Sequence, residues 1–371
     1  MKHRSVKQWM QTIHLWVGLV LCLPIVAIGL SGSALLLQRE ILEASVPSAP
    51  ARGQFKSLSD MVDAAIAAPG FTEMSATRIT IPSSEGAPAS VRMRAEEAEI
   101  DVFVDPVSLA ILGSEEVIER GPLLAFFITL HAYLFLPPHI GLPFVGAMGF
   151  VMVFMALSGL VLWWPRRRHW RQAFWMRPRL KGLAFHLELH RVAGIWGMLL
   201  LLALGSSGIY LSFPQSFSNV VGLGLDIGLP NTEIPEPSPD ISGPINADDA
   251  VSIAAETIAN ARPSLVFLAR QPVPYVVQLE ASNGPSAPPI SVMIDPETAR
   301  VEYIDDPRDY PTGSKFLNMQ HAVHFGIGFG WIWAVLVFVS GLLPLLFAIT
   351  GTYAWWLKRR ARRALERRAS A

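Results

Sequence analysis

Four stretches of this chain carry too few polar residues to fold as anything but membrane spans. Apolar runs at about 14–37, 143–164, 190–212 and 331–357 each reach the roughly 20 residues that a helix needs to cross about 30 Å of hydrocarbon. In lipid every backbone donor and acceptor has to be satisfied within the segment, so each run is expected to be helical. Composition agrees: 51% of the 371 residues are hydrophobic and 16% are charged, where a water-soluble domain carries about a quarter charged residues. The first run follows Lys2, Arg4 and Lys7 in the manner of a signal peptide. Its apolar core exceeds the usual length of about 7–15 residues and no small-residue cleavage site follows closely, so it is expected to be a retained anchor.

Charge orients the spans. The N-terminus, the segment 165–191 (Arg166, Arg167, Arg168, Arg171, Arg177, Arg179, Lys181 and Arg191) and the tail from Lys358 are rich in Lys and Arg, whereas 39–120 and 213–316 carry about twice as many acids as bases. Basic flanks stay on the cytoplasmic side. Both termini are therefore expected on the cytoplasmic side, with two acidic domains outside. The 30 bases and 30 acids cancel to zero net charge, which conceals this segregation. Membrane lipids are expected partners; nucleic acid is not. The single cysteine, Cys22, falls within a span, so no disulfide framework is expected and the residue reads as a small core side chain.

The halves of the chain resemble each other. Setting "IHLWVGLVLCLPIVAIGLSGSALLL" (13–37) above "LHRVAGIWGMLLLLALGSSGIYLSF" (189–213) pairs His14 with His190, Gly18 with Gly194 and Ser31-Gly32 with Ser207-Gly208 without a gap. "ALSGLVLWWPRR" (156–167) likewise aligns with "AITGTYAWWLKRR" (348–360), each with a Ser/Thr-Gly pair five residues before a Trp pair, and "LHAYLF" (130–135) faces "QHAVHF" (320–325), pairing His131 with His321. The chain reads as an internal duplication of span, outer domain, span, and since both copies begin inside, the repeats are parallel.

The outer domains correspond too. "SLSDMVDAAIAA" (57–68) and "NADDAVSIAAETIANA" (246–261) have the pattern of amphipathic helices, and "EIDVFVDPVSLAILG" and "PPISVMIDPETARVEYI" each read as strand, Asp-Pro turn, strand. Each is expected to be a small α+β unit, with no nucleophile, metal-ligand cluster or phosphate loop. "NTEIPEPSPDISGP" (231–244), rich in Pro and acids, is expected to be an irregular loop.

Strand, Asp-Pro turn, strand modules ("VFVDPVSLAILG", "VMIDPETARVEYI") between spans that open with "IHLWVGL" or "LHRVAGI" and close with "SGLVLWWPRR" or "TGTYAWWLKRR" resemble the PepSY-associated transmembrane family over nearly the whole chain. The resemblance implies a membrane α-helical fold of four transmembrane helices with two small periplasmic α+β PepSY-like domains. At this length it implies similarity to the di-haem ferric-siderophore reductases of the bacterial inner membrane: oxidoreductases with two haem b held by membrane histidines, acting on a ferric siderophore in the periplasm. No flavodoxin-like or ferredoxin-reductase-like stretch is present, so electrons must come from a cytoplasmic or quinol donor.

The expected organisation is a cytoplasmic N-terminus (1–12), first span (13–37), first periplasmic domain (38–120), interfacial or re-entrant helix (121–142), second span (143–164), cytoplasmic basic loop (165–187), third span (188–212), second periplasmic domain (213–316), interfacial segment (317–330), fourth span (331–357) and cytoplasmic basic tail (358–371).

Ionisable residues in spans are rare and mark function. Repeat symmetry places His14 and His190 at one cytoplasmic depth on opposite sides of the axis, and paired neutral imidazoles across a gap in a bundle are what a six-coordinate haem iron accepts. The same reasoning sets His131 and His321 near the outer surface, as axial ligands of a second haem. From His131 to Trp164 are 33 residues, about 50 Å if wholly helical, more than the bilayer. "LPPHIGLP" (136–143) and "GIGFG" (326–330) are the expected breaks. His186 and His324 share helix faces with His190 and His321 and are alternates for them. His139 is expected at the outer interface, and His3 and His169 among solvated charges. The Ser/Thr-Gly pairs read as sites of close helix approach, by another helix or by a flat macrocycle, and the Trp pairs as interfacial anchors. The contrasting expectation is a haem-free membrane scaffold or permease-like protein whose outer modules bind peptides or regulate a partner.

Overall fold

The computed structural model describes residues 5–37, 46–96, 98–116, 122–165, 169–229, 244–270, 272–281 and 288–369. Its elements begin with α1 (Val6–Leu36), α2 (Leu58–Ala67), β1 (Ser75–Thr80), β2 (Ala89–Arg94), β3 (Glu99–Val104), β4 (Ile111–Glu116), α3 (Pro122–Tyr133) and α4 (Pro138–Trp163). The second half follows the same order: the short α5 (Trp170–Ala173), α6 (Gly182–Ser212), α7 (Pro214–Val221), α8 (Ala247–Thr257), β5 (Ala261–Phe267), β6 (Tyr275–Ala281), β7 (Ile290–Ile294), β8 (Val301–Asp305), α9 (Thr312–Phe325) and α10 (Gly330–Ala369). His3, Arg166, Arg167, Arg168 and most of the Pro-rich loop 231–244 lie outside the described residues. The chain divides into two units, a helix bundle and a sheet unit.

In the bundle, α1, α4, α6 and α10 are long and apolar enough to cross a membrane, and the protein is a multi-pass membrane protein. Ser5 starts α1 with a reciprocal cap, its side chain accepting from the Gln8 backbone N–H while the Gln8 side chain accepts from the Ser5 N–H at 2.9 Å. The four helices form a ring in which α1 and α6 each pack on both α4 and α10. Lipid supplies no hydrophobic drive between helices, so association relies on close backbone approach. Two crossings supply it: a Cβ at Gly29 on α1 would strike the Gly341 carbonyl of α10, and a Cβ at Gly205 on α6 would come within 3.3 Å of the Gly149 carbonyl of α4.

Both breaks exist as turns, but the first lies at 134–137, mostly ahead of the anticipated 136–143. Between α3 and α4, Leu134 and Phe135 take left-handed backbone angles (φ 51° and 59°), and before α10 Gly326, Gly328 and Gly330 do so (φ 69°, 91° and 77°). The helix resumes at Pro138 rather than at 143, because proline is well suited to the first turn, where its missing N–H has no partner to lose. Likewise α6 begins at Gly182 within the expected loop, and α10 continues through the basic tail to Ala369.

The sheet unit is a single eight-stranded antiparallel sheet in the order β4-β3-β2-β1-β5-β6-β7-β8. The two expected α+β units are thus two meanders of one sheet, joined where Arg78, Ile79 and Thr80 of β1 face Phe267, Val266 and Leu265 of β5. Unpaired strand edges expose backbone donors and acceptors, and pairing β1 with β5 removes two of them. Burial alternates along β2 and β7, and α2 and α8 cover the apolar face over one shared core that includes Met61, Ile79, Met93, Val266, Leu279 and Ile290. Asp248 at the start of α8 accepts from the backbone N–H of Leu58 (2.7 Å) and Ser59 (3.0 Å), capping α2 from the other half of the chain.

Each Asp-Pro turn is closed by its aspartate. Asp105 accepts from the backbone N–H of Val107 (2.9 Å), Ser108 (3.0 Å) and Ala51 (3.1 Å), and Asp295 from those of Glu297 (2.8 Å) and Thr298 (2.7 Å). Burial alone would push the Asp105 carboxyl up, but the hydrogen bonds from Ser108, Val107 and Ala51 outweigh it and hold it below the ordinary carboxylate range. Asp295 is lowered chiefly by the Thr298 backbone N–H.

Candidate functional site

His14 is the ninth residue of α1 and His190 the ninth of α6, so the two enter the bundle at matching heights. Their ring centroids stand 6.4 Å apart. Each Nδ1 meets a hydroxyl on the neighbouring span: His14 that of Ser158 on α4 at 2.7 Å, and His190 that of Thr350 on α10 at 2.9 Å. The glycine after each hydroxyl leaves room for the ring, since a Cβ at Gly159 or Gly351 would stand 3.7 or 3.5 Å from the corresponding Cε1. Both imidazoles line a cavity of about 390 Å³ inside the bundle, walled largely by apolar residues such as Met155, Met198 and Phe347 and by Gly18 and Gly194, with Arg191 and Lys358 also in its lining. That volume is within the range of small-molecule sites, about 300–1,000 Å³. Cys22 lines the same cavity rather than filling a packed core.

One edge of this cavity is tied to the loop that follows α4. Glu188 is buried and bridges Arg191 (2.9 Å) and Arg177 (3.3 Å), while Arg191 donates to the Ala173 carbonyl at 2.9 Å and Trp163 and Trp196 donate to those of Ala173 (3.2 Å) and Phe174 (3.0 Å). Side chains of the spans therefore hold the loop by its backbone oxygens, and Trp163, expected only as an interfacial anchor, also serves as a donor.

A second imidazole pair lies at the other level. Ser31 and Ser207 follow His14 and His190 by 17 residues, which is about 25 Å along a helix. There His131 on α3 and His324 on α9 have ring centroids 6.0 Å apart. His131 Nδ1 is 2.8 Å from the Ile28 carbonyl oxygen and 3.3 Å from Ser31 Oγ, and His324 Nδ1 is 2.9 Å from Ser207 Oγ. A Cβ at Gly32 would approach His131 Cε1 to 2.7 Å, and one at Gly208 would stand 3.5 Å from His324 Cε1.

The residue facing His131 is thus His324, the alternate, and not the repeat-matched His321. His321 is exposed and packs edge-on against Tyr210 and parallel to Phe325. The reason is the register of the helix break. Pro138 and Gly330, which open α4 and α10, are 192 residues apart, as are Ser158 and Thr350; carried back across the break, that offset sets position 131 against 323, next to His324. The shared His-Ala dipeptide points instead to His321. His186 stands apart from the His14–His190 pair: its ring packs on Tyr353 with centroids 4.5 Å apart, and its buried Nδ1 has no hydrogen-bond partner among the described residues. His139 in the first turn of α4 and His169 before α5 are exposed.

Among the described residues no group of three or more His, Cys, Asp or Glu side chains could hold a bare metal ion. The chemistry-bearing feature is the two imidazole pairs, and the four Ser/Thr-Gly pairs read as packing sites each hold one histidine of those pairs. No curated protein matches the chain. Residues 11–358 match the PepSY-associated TM region, and the chain belongs to that family of membrane proteins.

Proposed function

We propose that the protein is an inner-membrane oxidoreductase that holds two b-type haems and passes electrons from the cytoplasmic side to a ferric-siderophore-type chelate in the periplasm, releasing Fe(II). The observation that carries this reading is the spacing of the paired rings. A metal sits about 2 Å from a ligating ring nitrogen, and the nitrogen about 1 Å from the ring centre, so two imidazoles sharing one iron stand about 6 Å apart between centroids. The observed 6.4 and 6.0 Å fit that donor set, as do the apolar cavity beside His14 and His190 and the glycines that face the rings.

On this reading His14 and His190 hold the cytoplasmic-side haem and His131 and His324 the periplasmic-side one, with the termini inside as the basic flanks require. Bound haem supplies one-electron transfer through its iron. The chain's own contribution is to fix four imidazoles in a low-dielectric bundle, exclude water with apolar walls and set two levels along the same pair of helices. Arg191 and Lys358, both lining the first cavity, place positive charge where carboxylate groups of a ligand are stabilised. Matched contacts at both levels in both halves support a duplicated unit. Reduction frees the iron because hard oxygen ligands hold Fe(III) far better than Fe(II). A cytoplasmic or quinol donor supplies the electrons.

Purified protein from haem-replete cells is expected to show a reduced α-band of bis-imidazole b-haem at two haems per chain and to reduce a ferric hydroxamate once itself reduced. His14→Ala and His190→Ala are each expected to remove one haem and leave the other. A colourless preparation from the same cells would sink the proposal in favour of a haem-free scaffold.

A further inference from the structure

We propose that Ser31, Ser158, Ser207 and Thr350 are positioning residues that set the tautomer of the four paired histidines, keeping hydrogen on Nδ1 and a free lone pair on Nε2; this rests on the haem reading above. A neutral imidazole carries one N–H and one lone pair, and only the lone pair can bind a metal. Which nitrogen keeps the hydrogen is decided by what the Nδ1 partner can do.

A hydroxyl has one hydrogen to donate. Ser158 Oγ donates to the Met155 carbonyl (3.2 Å), Thr350 Oγ1 to Leu346 (2.7 Å), Ser207 Oγ to Leu204 (3.1 Å) and Ser31 Oγ to Ala27 (2.6 Å). With that hydrogen engaged one turn back on its own helix, each oxygen faces its histidine with lone pairs alone, so Nδ1 must donate. His131 adds an independent case, because the Ile28 carbonyl oxygen 2.8 Å from its Nδ1 can only accept. The glycine after each hydroxyl completes the device: with no side chain, it lets the ring lie against the helix at the height of the hydroxyl. Ser/Thr-Gly thus does the work that a carboxylate or carbonyl does behind many metal-binding histidines, without placing a charge in the bundle. The wrong tautomer would point an N–H at the metal position.

The test uses the full-length protein labelled with 15N-histidine and prepared without added haem, and the same protein titrated with haem. Expected are Nδ1-protonated, Nε2-unprotonated rings at His14, His131, His190 and His324. In Ser158→Ala and Thr350→Val the partner histidine becomes a mixture of tautomers, and haem affinity at the first level falls about 10- to 100-fold. Ser158→Thr and Thr350→Ser keep both wild-type readouts, which a loss caused by packing alone would not spare. Nε2-protonated rings in the wild type, or unchanged tautomers and affinity in the variants, would overturn the assignment. The expected wild-type tautomers in a protein that takes up no haem would uphold the hydroxyl assignment and overturn the haem reading instead.

Discussion

In the first half of the chain, Gly32 brings α1 so close to His131 that an added methyl would stand 2.7 Å from the ring, whereas in the second half Gly208 leaves 3.5 Å beside His324. The same contrast recurs elsewhere. The first half turns its helix break with Leu134 and Phe135 in left-handed conformations, each costing on the order of 1–3 kcal/mol, and the second half uses glycines that take those angles freely. Asp105 is fully buried and accepts from three backbone N–H groups; Asp295 is less buried and accepts from two. Equivalent contacts at the second imidazole level are therefore held to different tolerances, and at Gly32 a single methyl has nowhere to go.

The largest expected effect tests whether the halves correspond across the helix break. His324→Ala is expected to halve the haem bound per chain, from two to one, while His321→Ala leaves two, as read by pyridine haemochrome against protein concentration. Loss of a haem in His321→Ala alone would end the correspondence at the break and return the second ligand to the residue that shares a His-Ala dipeptide with His131.

Next comes the difference in tolerance itself. Gly32→Ala is expected to displace His131, remove the second-level haem and destabilise the bundle by about 1–3 kcal/mol, the usual range for overpacking. Gly208→Ala is expected to keep both haems. Equal losses in the two variants, measured by haem content and thermal unfolding in detergent, would erase the distinction between the halves.

The sheet unit offers a smaller test. Asp248 of the second half caps α2 of the first, and Asp248→Ala leaves the Leu58 and Ser59 N–H groups without that acceptor. Loss of such a cap costs about 1–2 kcal/mol, to be read from denaturant unfolding of the full chain. Asn246→Ala, which removes the cap of α8 on its own helix, is expected to cost no more than that.

The smallest effect is pH dependence. Both turn aspartates have folded-state carboxyls held low, so their contribution is present above the unfolded value of about 3.9 and is lost as pH falls through the lower folded values. Below about pH 4, Asp105→Asn is expected to flatten the acid limb of stability more than Asp295→Asn does, because its turn is buried and is bonded to a third backbone N–H, that of Ala51. Identical acid limbs would mean that burial of the first turn carries no consequence.

Much of the candidate site was legible in advance. The gapless match of 13–37 with 189–213 pairs His14 with His190 because both sit on unbroken helices of one period, where equal spacing guarantees equal height and face. His321 and His324 are three residues apart on one helix, and side chains at that spacing share a face, so periodicity alone cannot choose between them. The choice is made by the phase of α9 relative to α10 across the turn at Gly326–Gly330, which only the folded backbone defines. The Ser/Thr-Gly pairs were visible as small residues in mid-span, but a hydroxyl does not announce which ring it will meet.

By itself the sequence determined four spans, two breaks, two sheet modules with Asp-Pro turns, and one histidine pair. These follow from local rules: apolar length against bilayer thickness, proline and glycine chemistry, and alternation along strands. Tertiary structure alone decided that β1 pairs with β5 to fuse the modules into one sheet, that Asp248 caps a helix from the other half, that His324 rather than His321 faces His131, and that Ser31, Ser158, Ser207 and Thr350 each stand behind a histidine. All four involve groups far apart in the chain whose meeting depends on how already formed elements are rotated against one another, a quantity that no window of sequence contains.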